Sequence, residues 1–315
     1  MSVVSSVCVT VPATTANLGP GFDCIGAALT LYNEFKFTRR FSSSKQVNQG
    51  EKLIITVTGA EAARVTTDET NLVYQAFAKF YQHIEKTLPP VKIEIKLGIP
   101  LARGLGSSST AILGGLIGAN VLAGEVLTQT QLMELAIAIE GHPDNVVPAL
   151  LGGCRLAVTS DTAWEICDIP WCEDVIPVLA IPDFELSTSE ARQVLPTQIS
   201  RGDAIFNTAH LGLLLRGLET GNQNWLRTAL QDKIHQPYRK SLIPAYDSIN
   251  AKALLNGAYG MVISGAGPTL LALTNTSNAS SVASAMVSEW QNQGIKAEVQ
   301  MLQIDKEGAR SVVQG

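Results

Sequence analysis

The chain has 315 residues, of which 46% are hydrophobic and 16% charged, and its formal net charge is −5. A composition this apolar supports a sizeable core and excludes a largely disordered chain. The acidic balance provides no electrostatic attraction to nucleic acid or to an anionic membrane, so neither is expected as a partner. The length exceeds that of an average domain and suggests two domains.

The cysteines and the N-terminus bear on the compartment. The five cysteines, at positions 8, 24, 154, 167 and 172, are odd in number and form no CxxC pair. That pattern is typical of reduced thiols and favours a cytoplasmic protein. Valine at positions 7, 9 and 11 alternates as in a strand, so the N-terminus is not interpreted as a signal peptide.

Apolar periodicity predicts the elements of the first half in chain order. Strands are expected at 6–11, 28–37, 52–58 and 91–97, a helix at 71–84, and an exposed loop or hairpin tip at 42–52.

Residues 104–124 carry no charge, and their number would suffice for a membrane span. Glycines and Asn120 in the run favour a buried, closely packed helix instead. Thr128 and Gln131 then form a predicted capping box for a helix that ends at 141–143.

The second half mixes helices and strands, which predicts an α+β fold in two parts. Strands are expected at 154–159, 175–181, 260–264, 269–274 and 295–303, and helices at 203–217, 222–231 and 280–293. The tryptophan-marked stretch 164–177 is the candidate boundary, and we divide the chain into residues 1–165 and 166–315.

The strongest local signal is PLARGLGSSST at 100–110, between a predicted strand and a predicted helix. Two glycines allow the backbone to approach a ligand, and successive N–H groups at a helix start can hold an anion. The segment is not a Walker A loop, because the GK[ST] ending is missing, and it does not complete GxGxxG. Phosphate binding is the functional interpretation, and a glycine-rich turn with a serine cap is the alternative.

Three further segments could carry chemistry. EGHPDN at 140–145 places Glu140 in a last helical turn, where the helix dipole disfavours an anion unless a cation such as Mg²⁺ is near. A solvated glutamate is the alternative, and Asp144 and Asn145 are ordinary turn residues by themselves. PATTANLGPGFD at 12–23 and SGAGPT at 264–269 are polar, glycine-rich segments that follow strands.

Together, in this order, the four segments resemble the signature motifs of the GHMP kinase superfamily, and the resemblance covers essentially the whole chain. The opening ANLGPGFDCIGAAL is similar to that of the homoserine kinase family within it. The resemblance implies ATP-dependent phosphorylation of the side-chain hydroxyl of L-homoserine, a step of threonine biosynthesis. It also implies an ATP-binding N-terminal half with a left-handed βαβ unit, a ferredoxin-like C-terminal half, and the possibility of a homodimer.

The resemblance further assigns residues to the site. Asn17, Asp23, His142, Arg192 and Arg239 match the binders of the amino-acid substrate. Ser108 and Glu140 match the partners of Mg²⁺. The residues expected at the nucleotide are Leu101, Ala102, Arg103, Gly104, Leu105, Gly106, Ser107, Ser108, Ser109 and Thr110, with Asn71 and Lys96 as more distant helpers.

Catalysis is expected to rest on positioning and charge neutralisation by Mg²⁺ and the loop, with Asn145 and Glu140 as the catalytic residues. Asn145 matches a position at which some superfamily members have an aspartate base, so we expect no strong general base. Two alternatives stay open: a GHMP kinase for another small alcohol such as mevalonate, and a non-catalytic nucleotide sensor on the same fold.

Overall fold

The computed structural model describes residues 4–40, 52–161 and 163–314. The chain folds into two α+β parts, each built around one sheet. Apart from its last residue, the loop predicted at 42–52 lies outside the described residues.

The described strands follow the predicted ones closely in the first half. They are β1 (Ser6–Ala16), β2 (Ile25–Arg39), β3 (Leu53–Thr58), β4 (Val91–Lys96), β5 (Cys154–Thr159), β6 (Trp164–Ile169), β7 (Ile176–Pro182), β8 (Gly260–Ile263), β9 (Leu270–Thr274), β10 (Ala297–Met301) and β11 (Arg310–Gln314).

The described helices include each of the predicted ones and several more. They are α1 (Leu72–His83), α2 (Ser107–Ala123), α3 (Gln129–Glu140), α4 (Pro143–Leu151), α5 (Thr188–Gln193), α6 (Arg201–Thr220), α7 (Gln223–Ala229), α8 (Gln236–Arg239), α9 (Tyr246–Leu255) and α10 (Thr276–Asn292). The capping box of Thr128 and Gln131 at the start of α3 is confirmed.

The first sheet runs in the order β11-β1-β2-β4-β3, and β5 joins β2 to β6 at its side. Strands β3 and β4 are parallel neighbours connected through α1, so they form the βαβ unit of this half. The other pairs in this sheet are antiparallel.

The second sheet has the order β10-β7-β9-β8 with antiparallel neighbours throughout. Along the chain its connections follow the order strand, helices, two strands, helix, strand, which is the ferredoxin-like arrangement. The expected α+β fold in two parts is therefore confirmed.

The uncharged segment at 104–124 is a buried helix, as predicted. Gly114 and Gly118 of α2 face the rings of Phe35 and Phe37 on β2, where a Cβ atom would not fit. Because these two glycines have no side chain, α2 packs closely against β2 of the sheet. Within the part of the chain that the structure describes, every helix is too short or too polar to cross a bilayer.

The division of the chain at 165/166 stays a prediction. Strand β6 spans that point and pairs with β5 of the first sheet, while β7 opens the second sheet. The C-terminal strand β11 returns to the first sheet beside β1.

Candidate active site

Main-chain hydrogen bonds join the segments at 12–23, 100–110 and 264–269. The amide of Thr14 donates to the carbonyl of Leu105 (3.1 Å), and the amide of Gly265 donates to that of Ala16 (3.0 Å). Ser264 adds a side-chain bond from its hydroxyl to the carbonyl of Gly104 (2.7 Å). These three segments, far apart in sequence, therefore lie together in the fold.

The loop before α2 has the geometry of an anion site. Gly104 and Gly106 both have left-handed backbone, with φ of +73° and +69°. Gly106 is the N-cap of α2, so the N–H groups of the first-turn residues, Ser107, Ser108 and Ser109, have no acceptor within the helix. Such a helix start attracts phosphate through these N–H groups and the helix dipole.

Glu140 is the last residue of α3 and faces this loop. Its carboxylate accepts hydrogen bonds from the hydroxyls of Ser108 (2.8 Å) and Ser109 (2.9 Å). A carboxylate at the C-terminal end of a helix is disfavoured by the helix dipole. The hydroxyls of Ser108 and Ser109 stabilise the Glu140 carboxylate and hold it beside the start of α2.

A cavity of about 430 Å³ lies along the loop. Its walls include the loop, the start of α1, the end of α3, the start of α4, and the segments after β7 and β8. The predicted residues that line it are Asn71, Leu101, Ala102, Arg103, Gly104, Leu105, Gly106, Ser107, Ser108, Glu140, His142 and Asn145.

A chain of buried polar groups continues from this cavity into the core. Thr14 Oγ1 donates to Asn145 Oδ1 (2.7 Å), and Asn145 Nδ2 donates to Asp144 Oδ1 (3.2 Å). The same Asp144 oxygen lies 2.6 Å from His142 Nδ1. This hydrogen bond raises the pKa of His142 above its ordinary value, because it favours the charged imidazolium.

Asp23 and Arg192, which the resemblance assigns to the substrate, form a bidentate ion pair. Arg192 Nη1 and Nη2 lie 2.9 and 2.8 Å from the two carboxylate oxygens of Asp23. The hydrogen bonds from Arg192 to Asp23 raise the pKa of Arg192. Asn17 supports the pair, because its Oδ1 accepts from the amide of Asp23 (2.9 Å) and its Nδ2 donates to the carbonyl of Gly265 (2.7 Å).

Arg239 lies beside this pair and is almost fully buried. Its Nε donates to the carbonyl of Ala191 (3.0 Å) and its Nη1 to that of Gly265 (3.1 Å). The guanidinium groups of Arg239 and Arg192 lie 5.0 and 5.7 Å from the ring centroid of Phe22. Burial, and then the charge of Arg192, lower the pKa of Arg239 to about 10, so it is still a cation at neutral pH.

Two of the predicted nucleotide helpers have other partners in the structure. Asn71 caps α1, where its Oδ1 accepts from the amide of Val73 (3.0 Å). Lys96 pairs with Glu34 on the neighbouring strand (2.8 Å), and its side chain is 67% exposed. Thr110 Oγ1 donates to the carbonyl of Ser107 within α2. Roles for these residues at the nucleotide stay predictions.

Sequence reasoning missed three residues that organise the site. Asp144 was interpreted as an ordinary turn residue, yet it is buried and connects His142 to Asn145. Thr14 Oγ1 donates to Asn145 Oδ1 and so holds the side-chain carboxamide of Asn145 in place. Buried His235 stacks on Phe22 and has its Nε2 2.9 Å from the carbonyl of Gly19. For Asp144 the sequence offers one signal of a role, because this residue stands between His142 and Asn145, which are both predicted site residues.

Cys24, next to Asp23, is expected to resist alkylation. Burial, and then the charges of Asp144 and Asp23, raise the pKa of its thiol to about 11, so little reactive thiolate exists at pH 8. Iodoacetamide at pH 8 should therefore modify the exposed Cys167 first, as peptide mass mapping would show. Rapid inactivation through Cys24, with protection by L-homoserine, would contradict this expectation.

Comparisons with known proteins match most of the chain. A family model described as the GHMP kinases N terminal domain matches residues 71–153, and one described as GHMP kinases C terminal matches residues 214–292. A homoserine kinase of Nostoc punctiforme is 71% identical over 99% of this chain and 100% of its own length. One of Microchaete diplosiphon is 70% identical over the full length of both chains.

Solved structures extend the likeness to three dimensions. The crystal structure of homoserine kinase from Cytophaga hutchinsonii has a TM-score of 0.86 at 29% identity and covers 99% of both chains. A mevalonate kinase of L. major has a TM-score of 0.69 at 15% identity, covering 95% of this chain and 96% of its own, and this likeness shows the fold alone.

The two-part fold is that of the GHMP kinases, a class of phosphotransferases that use ATP. Within that class, the chain belongs to the homoserine kinase family.

Proposed function

We propose that the protein transfers the γ-phosphoryl group of ATP to the side-chain hydroxyl of L-homoserine and forms O-phospho-L-homoserine, a step towards threonine. The observation that carries the proposal is the cluster of Asp23, Arg192 and Arg239 near the phosphate-binding loop. An amino acid is a zwitterion, and a pocket that offers both charges can pair with its ammonium and its carboxylate together. The names of the full-length relatives support the same substrate.

The substrate would exchange partners with the ion pair of Asp23 and Arg192. Its ammonium group would take the place of the Arg192 guanidinium at Asp23, and its carboxylate would be bound by Arg192 and Arg239. A guanidinium binds a carboxylate with two parallel hydrogen bonds, which fixes orientation as well as charge. Asn17 and His142 would complete the polar contacts around the amino acid.

The nucleotide phosphates would lie against the loop of residues 104–109 and the start of α2. Free N–H groups at this helix start, which the left-handed glycines Gly104 and Gly106 leave accessible, support that position. The side chains of Ser107 and Ser108 add hydroxyl donors along the same cavity.

Mg²⁺ would be held by Glu140 and Ser108 together with the nucleotide phosphates. The donor set fits this ion, because Mg²⁺ takes oxygen ligands and usually binds one or two carboxylates plus substrate phosphates. The adjacency of Glu140 Oε2 and Ser108 Oγ, at 2.8 Å, supports the assignment. When bound, the ion neutralises phosphate charge during the transfer.

Asn145 would orient the homoserine hydroxyl without removing its proton, which would pass to an oxygen of the transferred phosphoryl group as the new O–P bond forms and the bond to ADP breaks. The oxygen of its side-chain carboxamide is held by Thr14 and the nitrogen by Asp144, so the carboxamide is fixed in position before substrate binds. In a loose phosphoryl transfer the attacking hydroxyl needs little activation, and alignment with the phosphoryl group matters most. This supports catalysis by positioning and charge stabilisation, without a strong general base.

Replacing Asn145 by alanine is expected to lower kcat by about tenfold, less than the ~10²–10⁴-fold that a lost general base costs. The measurement is steady-state ADP release with saturating ATP and L-homoserine. Asn250→Ala, on α9 and away from the loop, is the matched control and should keep the wild-type rate. A loss of 10⁴-fold in Asn145→Ala would contradict the modest orienting role given to this residue.

Two truncated alcohols test the zwitterion pocket itself. 4-Hydroxybutanoate lacks the ammonium group of homoserine, and 3-amino-1-propanol lacks its carboxylate. We expect both to be phosphorylated far more slowly than L-homoserine, because each leaves one charge of the pocket unpaired. Equal turnover of either analogue would contradict the roles given to Asp23 or to the two arginines.

The cytoplasmic location and the homodimer stay predictions. Reduced cysteines support the first, since the five are unpaired in the structure. The second follows from the family resemblance.

A further inference from the structure

Arg103 is a residue of the phosphate-binding segment that the resemblance places at the nucleotide. Its side chain is only 7% exposed, although it borders the nucleotide cavity. The guanidinium donates three hydrogen bonds, and all three acceptors are backbone carbonyls. Nε bonds to Pro182 (2.9 Å), Nη1 to Leu101 (2.8 Å) and Nη2 to Asp183 (2.7 Å).

These carbonyls belong to both parts of the fold. Leu101 lies in the phosphate-binding segment itself, whereas Pro182 ends β7 of the second sheet and Asp183 follows it. Two main-chain hydrogen bonds also connect the two parts at this point. The amide of Leu186 donates to the carbonyl of Ala102 (3.3 Å), and the amide of Thr269 donates to the carbonyl of Arg103 (3.3 Å). Arg103 is thus a side chain of the loop that connects it to the second half.

Two carboxylates surround the guanidinium without replacing the carbonyls as its closest partners. Glu185 lies 3.5 Å and Glu61 3.8 Å from its nitrogens. Glu61 also accepts from the amide of Leu101 (2.6 Å), so it holds the same loop from the other side. The buried charge is therefore compensated, and its hydrogen bonds remain directed at the backbone.

The backbone around Arg103 has a shape that the chain does not favour by itself. Ala102 has a left-handed φ of +54°, which a side-chain-bearing residue rarely adopts, and Gly104 follows with +73°. Residues in such conformations persist when their surroundings hold them. Arg103 lies between these two residues in the chain, and its three hydrogen bonds hold the backbone in this shape.

We propose that Arg103 is a positioning residue for the nucleotide: it fixes the phosphate-binding loop against the second half and makes no essential contact with ATP itself. The inference rests on the proposed function only in that the loop binds ATP. A lysine could keep the charge, but its single ammonium could not span three carbonyls in the fixed fork geometry of arginine.

The test uses Arg103→Lys and Arg103→Met, with Arg64→Met as the matched control. Arg64 is an exposed neighbour that pairs with the same Glu61 and Glu185 but donates to no loop carbonyl. Calorimetry measures the dissociation constant for ADP without homoserine. Steady-state assays measure the KM for ATP and for L-homoserine, and thermal unfolding measures the Tm.

We expect both Arg103 variants to weaken ADP binding and raise the KM for ATP by about tenfold or more, because displacement of a positioned group by about 1 Å can cost 10²-fold. The KM for L-homoserine should change less than threefold, and Arg64→Met should bind ADP like the wild type. Full ADP affinity in Arg103→Lys would overturn the proposal, since charge alone would then suffice.

A lower Tm with no preferential effect on the nucleotide would also overturn it, because the residue would then be merely structural. If either Arg103 variant fails to fold, the other supplies the comparison. Failure of the proposed function gives a different result: the wild type would bind ADP and yet not phosphorylate L-homoserine.

Discussion

Replacing Glu140 by glutamine is expected to lower kcat on the order of 10³-fold, the size of effect seen when a group that stabilises transition-state charge is removed. Glutamine has nearly the same shape and can still accept from Ser108 or Ser109, whose hydroxyls lie 2.8 and 2.9 Å from the carboxylate. It lacks the negative charge with which a carboxylate attracts Mg²⁺. The measurement is ADP release as a function of Mg²⁺ concentration.

Glu134→Gln is the matched control for this variant. Glu134 lies on the same helix, α3, and is exposed on its outer side. It should retain wild-type kcat and the same Mg²⁺ dependence. If Glu140→Gln kept more than a tenth of the wild-type kcat with unchanged Mg²⁺ dependence, Glu140 would not be a metal ligand.

Replacing Gly104 by alanine is expected to abolish ATP binding and to destabilise the protein. A left-handed alanine costs about 1–2 kcal/mol, and overpacking typically adds about 1–3 kcal/mol. The new Cβ would overlap the carbonyl oxygen of Ser264 and come within 2.8 Å of that of Gly267. Because these neighbours are backbone, the loop must move away from the second half. Urea unfolding and ADP calorimetry measure the two effects.

Gly294→Ala separates the backbone cost from the overlap. Gly294 has the same φ of +73°, but a Cβ there would have no heavy atom within 4 Å. This variant should lose only the left-handed penalty and bind ADP normally. Equal behaviour of the two alanine variants would mean that the contact between the loop and residues 264–267 does not position the nucleotide.

Local sequence signals were sufficient for most of the fold. Alternating valines predicted β1, and the capping box with the stop at residues 141–143 predicted α3. Helix α4 was missed because prolines at 143 and 148 suggest a break. In fact Pro143 is at the first helical position, where proline is well tolerated. Strand β11 was missed because its side chains are exposed and show no alternation.

Features of the site that depend on neighbouring residues in the sequence could be predicted. Features that depend on contacts between distant parts of the chain could not. The glycines and serines of residues 104–109 predicted the helix start with free N–H groups that the structure has, and phosphate binding there stays a prediction. No spacing could show that Lys96 faces Glu34 across the β2–β4 pair. Nor could it show that Arg103 bonds to Pro182 and Asp183, 79 and 80 residues away. Such contacts exist only in the folded chain.

The most direct test of the central claim is Mg²⁺-dependent ADP release with L-homoserine, run beside D-homoserine, L-threonine, L-serine and mevalonate. We expect strong turnover with L-homoserine alone. Serine and threonine carry their hydroxyl one carbon closer to Cα, D-homoserine has the opposite configuration, and mevalonate has no ammonium group for Asp23. Turnover of mevalonate instead would contradict the roles of Asp23, Arg192 and Arg239. ATP binding without turnover of any of the five would contradict the assignment as a kinase for L-homoserine.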